Sequence, residues 1–347
     1  MRVKGELLDD LSAVAARFGA QLSDAAQHSL FDRLDWFALT QQHICPEARP
    51  LIAHAEADGH EAWMFLRRTG KASAEGLSSW YTLAYRPVFS PGAPDAARLK
   101  LLHGLGHLLR RELATFRIEP VPEADGSAGL LQRAFGETGW VVHAGPKTGH
   151  WYTTVGEGGF ATFWTARPGQ LRSTHDRRVR KFPMDIHIHD RLDAALWSDY
   201  QAVFADSWKG DEGSLPFLHA MAEAAAQRGA LRLGMARHDG APVAAQLWTV
   251  DHGHAIIHKL AYRDDAAAMS PGTVLSAALF RHVIDVDRAE TISYGTGDDG
   301  YKRDWMDQRE QLHSLEFFNP MRVTGLLGMA RSSVSRTASA LKRRKKN

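Results

Sequence analysis

The chain has 347 residues, of which 44% are hydrophobic and 24% charged, and its formal net charge is +2. This composition is typical of a globular protein, and the length exceeds one ordinary domain, so we expect two domains of similar size. The single cysteine, Cys45, excludes an intramolecular disulfide and a cysteine-based zinc site.

The apolar runs are too short to cross a bilayer, which requires roughly 20 residues. A long example, Leu130 to Val142, is interrupted by polar side chains. Neither a transmembrane helix nor a signal-peptide pattern is visible. We therefore expect a cytoplasmic protein.

The first half of the chain mixes helical and strand-like patterns. Hydrophobic spacing predicts a helix over Leu7 to Phe18 and another over Ala96 to Leu113. Strands are predicted at Ala62 to Arg67, Ser79 to Tyr85 and Thr115 to Ile118. No phosphate-loop or nucleophile-elbow motif accompanies them.

A strongly basic segment separates the two halves. Residues 171 to 182 read LRSTHDRRVRKF, and they lie between Pro168-Gly169 and Pro183. Proline and glycine at both ends predict a helix with defined limits. We place the domain boundary here.

The second half gives a clearer α+β pattern, with two helices, an antiparallel meander, another helix and two further strands. The predicted helices cover residues 192 to 204, 215 to 228 and 270 to 286, and the strands cover 231 to 237, 243 to 250, 254 to 262, 291 to 294 and 313 to 318. Asp239-Gly240 and His252-Gly253 are credible tight turns between the first three strands.

The last 27 residues are basic, because residues 321 to 347 contain eight Lys or Arg and no acid. Without them the chain has 34 basic and 40 acidic residues, a net charge of −6. Val323, Leu326, Leu327 and Val334 have helical spacing, so the tail resembles a basic interfacial helix. Anionic lipid and nucleic acid are the partners that such tails meet, and a solvated, disordered tail is the alternative. No nucleic-acid recognition motif accompanies the charge.

The helix predicted after residue 269 begins with Ser270-Pro271-Gly272, followed by Thr273 and Val274. Serine suits an N-cap, proline the first turn, and glycine permits close approach to the backbone. Free N–H groups at a helix start bind anions such as a pyrophosphate. The same three residues also begin ordinary capped helices.

Two other segments carry reactive side chains. His258 lies on a predicted strand and could act as a general base, or it could be a structural histidine. Gly297 to Lys302 reads GDDGYK: Asp298 could accept a proton, Tyr301 could return one to a thiolate, and Lys302 could stabilise an oxyanion. A solvated turn is the alternative, and no His or Glu at ligand spacing supports a metal on the paired aspartates.

The order of these motifs resembles a known family. The strand HKLAY, the helix start SPGTVL and the segment GDDGYKRDW, preceded by DSWKG at Asp206 to Gly210, look like the GNAT (Gcn5-related N-acetyltransferase) fold. They are similar to the acetyltransferases associated with cellulose biosynthesis and, more distantly, to the Fem-type peptidyltransferases. The resemblance covers about residues 171 to 320.

The resemblance implies a mixed central sheet that splays to admit the pantetheine arm of acyl-CoA. It assigns the arm to Lys259, Leu260 and Ala261, and the phosphates to the backbone from Pro271 to Val274. It makes Lys302 the main catalytic candidate and places Trp208 and Lys209 on the acceptor side. A Gln/Arg-rich pyrophosphate signature is replaced here by Ser-Pro-Gly, so an acyl carrier protein, whose pantetheine would fit the same slot, is an alternative donor.

Fem-type relatives are tandem GNAT folds, so we expect a degenerate GNAT-like domain at 1–170, a catalytic one at 171–320 and the basic tail at 321–347. The expected activity is acyl transfer, without a metal, to an amine acceptor such as a cell-envelope lipid or saccharide precursor; acylation of a sphingoid base, as by a ceramide synthase, is one form. The location would be cytoplasmic, peripheral at the inner membrane. The alternatives are a non-catalytic acyl- or nucleotide-binding module and a carrier-protein-dependent O-acyltransferase of polysaccharide biosynthesis.

Overall fold

The computed structural model describes residues 3–207 and 213–344, with side chains up to residue 334 in the last helix. The strands are β1 (Lys4–Leu8), β2 (Pro50–Ala57), β3 (His60–Gly70), β4 (Ser73–Gly76), β5 (Val88–Phe89), β6 (Thr115–Val121), β7 (Val141–Thr154), β8 (Asp185–His189), β9 (Leu231–His238), β10 (Ala241–Asp251), β11 (His254–Tyr262), β12 (Thr291–Thr296) and β13 (Gln308–Phe318). The helices are α1 (Leu11–Phe18), α2 (Leu34–Ile44), α3 (Asp95–Glu112), α4 (Ser127–Glu137), α5 (Gly159–Thr165), α6 (Gly169–Lys181), α7 (Ala194–Ala205), α8 (Leu215–Gln227), α9 (Pro271–Asp285), α10 (Lys302–Trp305) and α11 (Val323–Arg344).

The chain forms two compact units. Unit 1 contains Met1–Thr148 and Glu310–Asn347, and unit 2 contains Gly149–Arg309. Unit 1 is therefore discontinuous in sequence, and β7 and β13 each pass from one unit into the other. The functional division predicted at residues 170 and 320 stays a prediction.

In unit 1 the strands pair in the order β1-β2-β3-β4-β6-β13, and β5 pairs with β3. All neighbours are antiparallel except β4 and β6. Helix α3 packs against β1, β2, β3 and α4. The core between them includes Trp63, Phe65, Leu105, Phe135 and Phe317, all of them buried.

In unit 2 the strands pair in the order β7-β12-β11-β10-β9-β8. Only β11 and β12 are parallel. Helix α9 packs against β8 to β11, together with α5 and α6. Gly234 on β9 permits this packing, because a Cβ at this position would lie 2.7 Å from a methyl group of Leu279.

The two units repeat one order of elements. Each unit contains, in chain order, one strand, two helices, three antiparallel strands, one helix and a last strand that pairs in parallel. In unit 1 these are β1, α1, α2, β2, β3, β4, α3 and β6, with the short β5 between β4 and α3. In unit 2 they are β8, α7, α8, β9, β10, β11, α9 and β12. The tripeptide Ser-Pro-Gly precedes α3 at residues 90 to 92 and opens α9 at residues 270 to 272. This repeat confirms the predicted α+β class with two similar domains and mixed sheets.

Most elements predicted in the second half are confirmed, including the basic helix α6, the meander β9 to β11, and α9. Two predictions in the first half are wrong. Leu7 and Leu8 belong to β1, where they pair with Ala53 and Ile52, so the helix begins only at Leu11. Residues 79 to 85 form turns rather than a strand.

Candidate active site

The sheet of unit 2 opens between β11 and β12. Their parallel pairing joins His254–Ile256 to Thr291–Ser293 and ends there. Beyond this point β11 continues to Tyr262 in register with β10, and β12 continues to Thr296. A gap between two parallel strands therefore begins at Ile257, as the predicted splay requires.

A β-bulge lies at the start of this gap. Leu247 pairs with Lys259 and Trp248 with Ile257, so His258 is an extra residue on β11. Its Nε2 lies 2.9 Å from the hydroxyl of Thr249. Burial, and secondarily the charge of Lys259, lowers the pKa of His258 to about 3. The imidazole is therefore neutral at pH 7 and a weak proton acceptor, which argues against the predicted role as a general base.

Helix α9 begins beside the gap. Ser270 is the N-cap residue, as predicted, but its backbone is left-handed (φ 51°) and its side chain makes no capping hydrogen bond. Its carbonyl instead accepts the N–H groups of Thr273 (3.1 Å) and Val274 (3.3 Å). Pro271 has no N–H. Within the described residues, the N–H of Gly272 is therefore the first-turn backbone donor that makes no hydrogen bond. Fewer phosphate donors are available here than predicted.

A buried amide fixes this helix start to the sheet. Gln246 on β10 donates to the carbonyl of Gly272 (3.1 Å) and to Ser276 (2.8 Å), and it accepts from the indole of Trp248 (2.9 Å). The side chain is fully buried. The sequence analysis missed Gln246; the signal was a single amide within the apolar run VAAQLW.

Lys302 lies at the opposite side of the gap, at the carboxyl end of β12. Its side chain is buried, and its ammonium donates to the carbonyls of Thr296 and Gly297 and lies 3.3 Å from a carboxylate oxygen of Asp299. Burial lowers the pKa of Lys302, while Asp299 opposes the shift. Lys302 is thus a cation held at the end of the strand that borders the gap.

Asp298 and Tyr301, the other two residues predicted in this segment, differ in environment. Both carboxylate oxygens of Asp298 accept from Arg309, at 2.6 and 2.7 Å, and the indole of Trp151 donates to one of them at 3.2 Å. Hydrogen bonding to Arg309 lowers the pKa of Asp298, so this carboxylate is a poor base. Burial raises the pKa of Tyr301 to about 12, so the phenol keeps its proton at neutral pH.

A buried arginine holds the end of α10. Arg167 donates to the carbonyl of Trp305 (2.7 Å) and to a carboxylate oxygen of Asp307 (2.5 Å), and its guanidinium lies over the ring of Phe163. The other oxygen of Asp307 accepts from Thr153 (2.6 Å). These contacts fix the segment that follows Lys302, and no sequence pattern predicted them.

Trp208 and Lys209 lie outside the described residues. The preceding residue, Ser207, forms an isolated bridge with Arg263, directly after β11. Asp206 accepts the N–H of Asp264 at 3.0 Å. In the two ranges 3–207 and 213–344, no group of three or more His, Cys, Asp or Glu could hold a metal ion.

In unit 1 the corresponding gap is filled by the chain itself. The N–H of Tyr85 donates to the carbonyl of Pro120 (2.7 Å), and its hydroxyl donates to the carbonyl of Phe65. Its ring covers Gly76, where a Cβ would lie 3.1 Å from it. Ser78 donates to the carbonyl of Glu119 on β6. Residues 77 to 85, here called the plug, therefore occupy the space between β4 and β6.

Comparison with known proteins agrees with this geometry. Residues 170–303 match the family model described as an acetyltransferase (GNAT) domain. No curated protein matches the chain.

Several solved structures share the fold over nearly the whole chain. FemX has a TM-score of 0.63 at 9% identity and covers 92% of this chain and 97% of its own. The C-terminal domain of a protein named as a lysylphosphatidylglycerol synthetase, from Agrobacterium fabrum, has a TM-score of 0.59 at 13% identity and covers 93% and 96%. L-PGS from Bacillus licheniformis has a TM-score of 0.52 at 10% identity and covers 86% and 94%. At these identities the likeness shows the fold alone, and residues 170–303 are similar to the GNAT acetyltransferase domain.

Proposed function

We propose that unit 2 transfers an acyl group from the thioester of acyl-CoA to an amine acceptor of the cell envelope. The observation that supports this most directly is the gap between β11 and β12, bordered by the start of α9 and by Lys302. A pantetheine arm could pair there with the backbone of Lys259 to Ala261. Its phosphates would lie near Ser270 to Val274.

In this proposal the amine nitrogen attacks the thioester carbonyl, forms the amide bond and expels the thiolate. The Lys302 ammonium stabilises the negative charge on the carbonyl oxygen. Tyr301, which keeps its proton at neutral pH, donates that proton to the leaving sulfur. Because His258 and Asp298 are weak bases here, the amine must arrive neutral, and the proton that its nitrogen loses as the amide forms passes to water. The Tyr301 phenolate then recovers a proton from solvent, so the protons balance.

The acceptor class rests on analogy. The structural relatives include FemX and a protein named as a lysylphosphatidylglycerol synthetase, a name that refers to an envelope lipid. An amine-bearing lipid, such as a sphingoid base, or a saccharide precursor is the acceptor that we propose. For a lipid acceptor, we propose a cytoplasmic enzyme that is peripheral at the inner membrane.

The relatives' names also favour a second candidate, transfer of an aminoacyl group to the same class of acceptor. The small number of free N–H groups at the start of α9 leaves a carrier protein as a further donor, since its pantetheine lacks the nucleotide diphosphate of CoA. A non-catalytic module that only binds the thioester is the remaining alternative.

The test is release of free thiol when the purified protein meets acyl-CoAs of increasing length, with and without amines including sphinganine. We expect amine-dependent release that Lys302→Met reduces roughly 100-fold or more, because an oxyanion donor contributes about that factor. Methionine preserves the length and packing of the side chain. Lys181→Met, on an exposed helix, is the matched control and should keep full activity.

Two results would contradict the proposal. Binding of acyl-CoA without release, across the panel of amines, would favour the binding module. Undiminished turnover in Lys302→Met, with circular dichroism showing an intact fold, would remove Lys302 from the mechanism.

A further inference from the structure

Helix α11 packs onto unit 1 through its small residues. A Cβ on Gly325 would lie 2.1 Å from the carbonyl oxygen of Asn319, and one on Gly328 would lie 3.1 Å from the ring of Phe318. Ser332 donates to Glu316 at 2.6 Å, and its hydroxyl lies 3.0 Å from a ring nitrogen of His143. Because these three positions follow helical spacing, one face of α11 is fixed to the protein mainly through small residues, beside the half-buried Met329.

Four exposed large apolar side chains lie on the other face of α11, and a fifth precedes the helix. They are 45 to 79% exposed: Val323, Leu326, Leu327 and Val334 on the helix, and Met321 before it. Among the side chains that the structure describes, eight large hydrophobic ones are exposed, and these are five of them. An ordinary surface helix turns its apolar stripe toward the core. The orientation of α11 is reversed, so its outward face, together with the adjacent Met321, is an exposed apolar patch that needs a partner.

The charge of the segment selects that partner. Residues 321 to 347 contain eight Lys or Arg and no acid. Two copies of this segment brought together would hold sixteen Lys or Arg and no acid, which disfavours a second copy of the chain as the partner. An anionic lipid surface offers both an apolar phase for the side chains and negative charge for the basic residues.

We propose that the outward face of α11 docks onto an anionic membrane surface. This deepens the proposed function by naming the surface that presents the acceptor, although docking itself requires no acyl transfer. The apolar side chains enter the interface between headgroups and acyl chains, and the positive charge of residues 321 to 347 attracts the segment to the anionic headgroups. Neither contribution suffices alone, because the apolar patch is small.

The experiment is co-sedimentation of the full chain with vesicles of phosphatidylcholine alone, or with about a third phosphatidylglycerol. We expect binding only to the anionic vesicles, weakened as salt is raised. Leu326→Ser combined with Leu327→Ser should reduce the partition coefficient about tenfold or more, since two exposed apolar side chains are lost. Val286→Ser, at a residue 65% exposed in unit 2, is the matched control and should bind like the parent chain.

Three outcomes would overturn the proposal: no binding to anionic vesicles, equal binding of the double variant and the parent, or equal binding to both vesicle types. A parent chain that is dimeric in solution, and monomeric in the double variant, would assign the face to a second copy instead. Thiol release with a water-soluble amine should be unchanged in the double variant. Vesicle binding tests docking, and thiol release with a water-soluble amine tests acyl transfer. Failure of one with success of the other therefore shows which of the two proposals is wrong.

Discussion

Burial affects the three titratable side chains around the gap in the same sense. It lowers the pKa values of His258 and Lys302 and raises that of Tyr301, so each shift favours the uncharged form. Asp298 is the exception, because its ion pair with Arg309 favours the charged form. An acyl transfer benefits from this arrangement, since a weakly solvated site strengthens the interaction of the remaining charges with the transition state.

At the residue scale, His258 should make the protein sensitive to acid. Its native pKa of about 3 lies below the unfolded value of 6.5, so between these values the unfolded chain binds a proton that the native chain excludes. Stability is therefore lost as the pH falls below 6.5. In His258→Gln, the decrease in the free energy of unfolding from pH 7.5 to pH 5 should be about 1–2 kcal/mol smaller than in the parent.

Urea denaturation at the two pH values measures this difference. His107→Gln, at an exposed position on α3, is the control and should follow the parent. Parallel pH profiles for all three proteins would contradict the inferred environment of His258.

At the scale of elements, the position of the start of α9 on the sheet depends on the side-chain amide of Gln246. Gln246→Leu removes the partner of the Trp248 indole, the Gly272 carbonyl and Ser276 while keeping the volume. Leaving buried polar groups unpaired should lower the free energy of unfolding by about 1–3 kcal/mol. Because the helix start is then less firmly held, KM for the thioester should rise more than kcat falls.

Chemical denaturation and steady-state kinetics on the same preparation test both parts. Gln132→Leu, on a half-exposed turn of α4, is the control substitution. A variant with the parent's stability but a lower kcat would show that Gln246 acts on the reaction rather than on the helix.

At the scale of the whole molecule, the repeat predicts one thioester site per chain rather than two. Unit 1 has the same order of elements, yet the plug fills its gap and is hydrogen-bonded to β6 through Ser78 and Tyr85 and to β3 through the Tyr85 hydroxyl. Titration calorimetry with a non-hydrolysable acyl-CoA analogue should therefore give one molecule bound per chain. A stoichiometry of two would show that the acyl-CoA analogue displaces the plug and binds to unit 1 as well.

The sequence was most informative where local signals were strong. The meander β9 to β11 has alternating strands with Asp-Gly and His-Gly turns, and α9 has proline in its first turn, so both were predicted within a few residues. The segment 79 to 85 has the composition of a strand, but tertiary contacts of Tyr85 and Ser78 fix it as turns. The pKa of His258 is lowered mainly by burial and that of Asp298 mainly by hydrogen bonding to Arg309, and no local pattern reveals either environment.

Some features required the fold itself. The outward apolar face of α11 follows the predicted helical spacing, but only the contacts of Gly325 and Gly328 show which side faces the protein. The described helices include none long and apolar enough to cross a membrane. The contribution of Gln246 became visible only when β10 and α9 were brought together.

The late position of β13 affects how the chain is made. Its pairing with β6 includes a stacked contact between Phe116 and Phe317, whose ring centroids lie 4.1 Å apart. A ribosome synthesises β6 first and then residues 122 to 307 before β13 begins, which takes about 10–40 s at cellular rates. During that interval one edge of a nascent β-strand carries an unsatisfied row of amides beside an aromatic side chain. A protein truncated before residue 310 would lack the part of β13 that pairs with β6, so this edge of β6 would stay exposed. We expect such a protein to aggregate unless chaperones bind it.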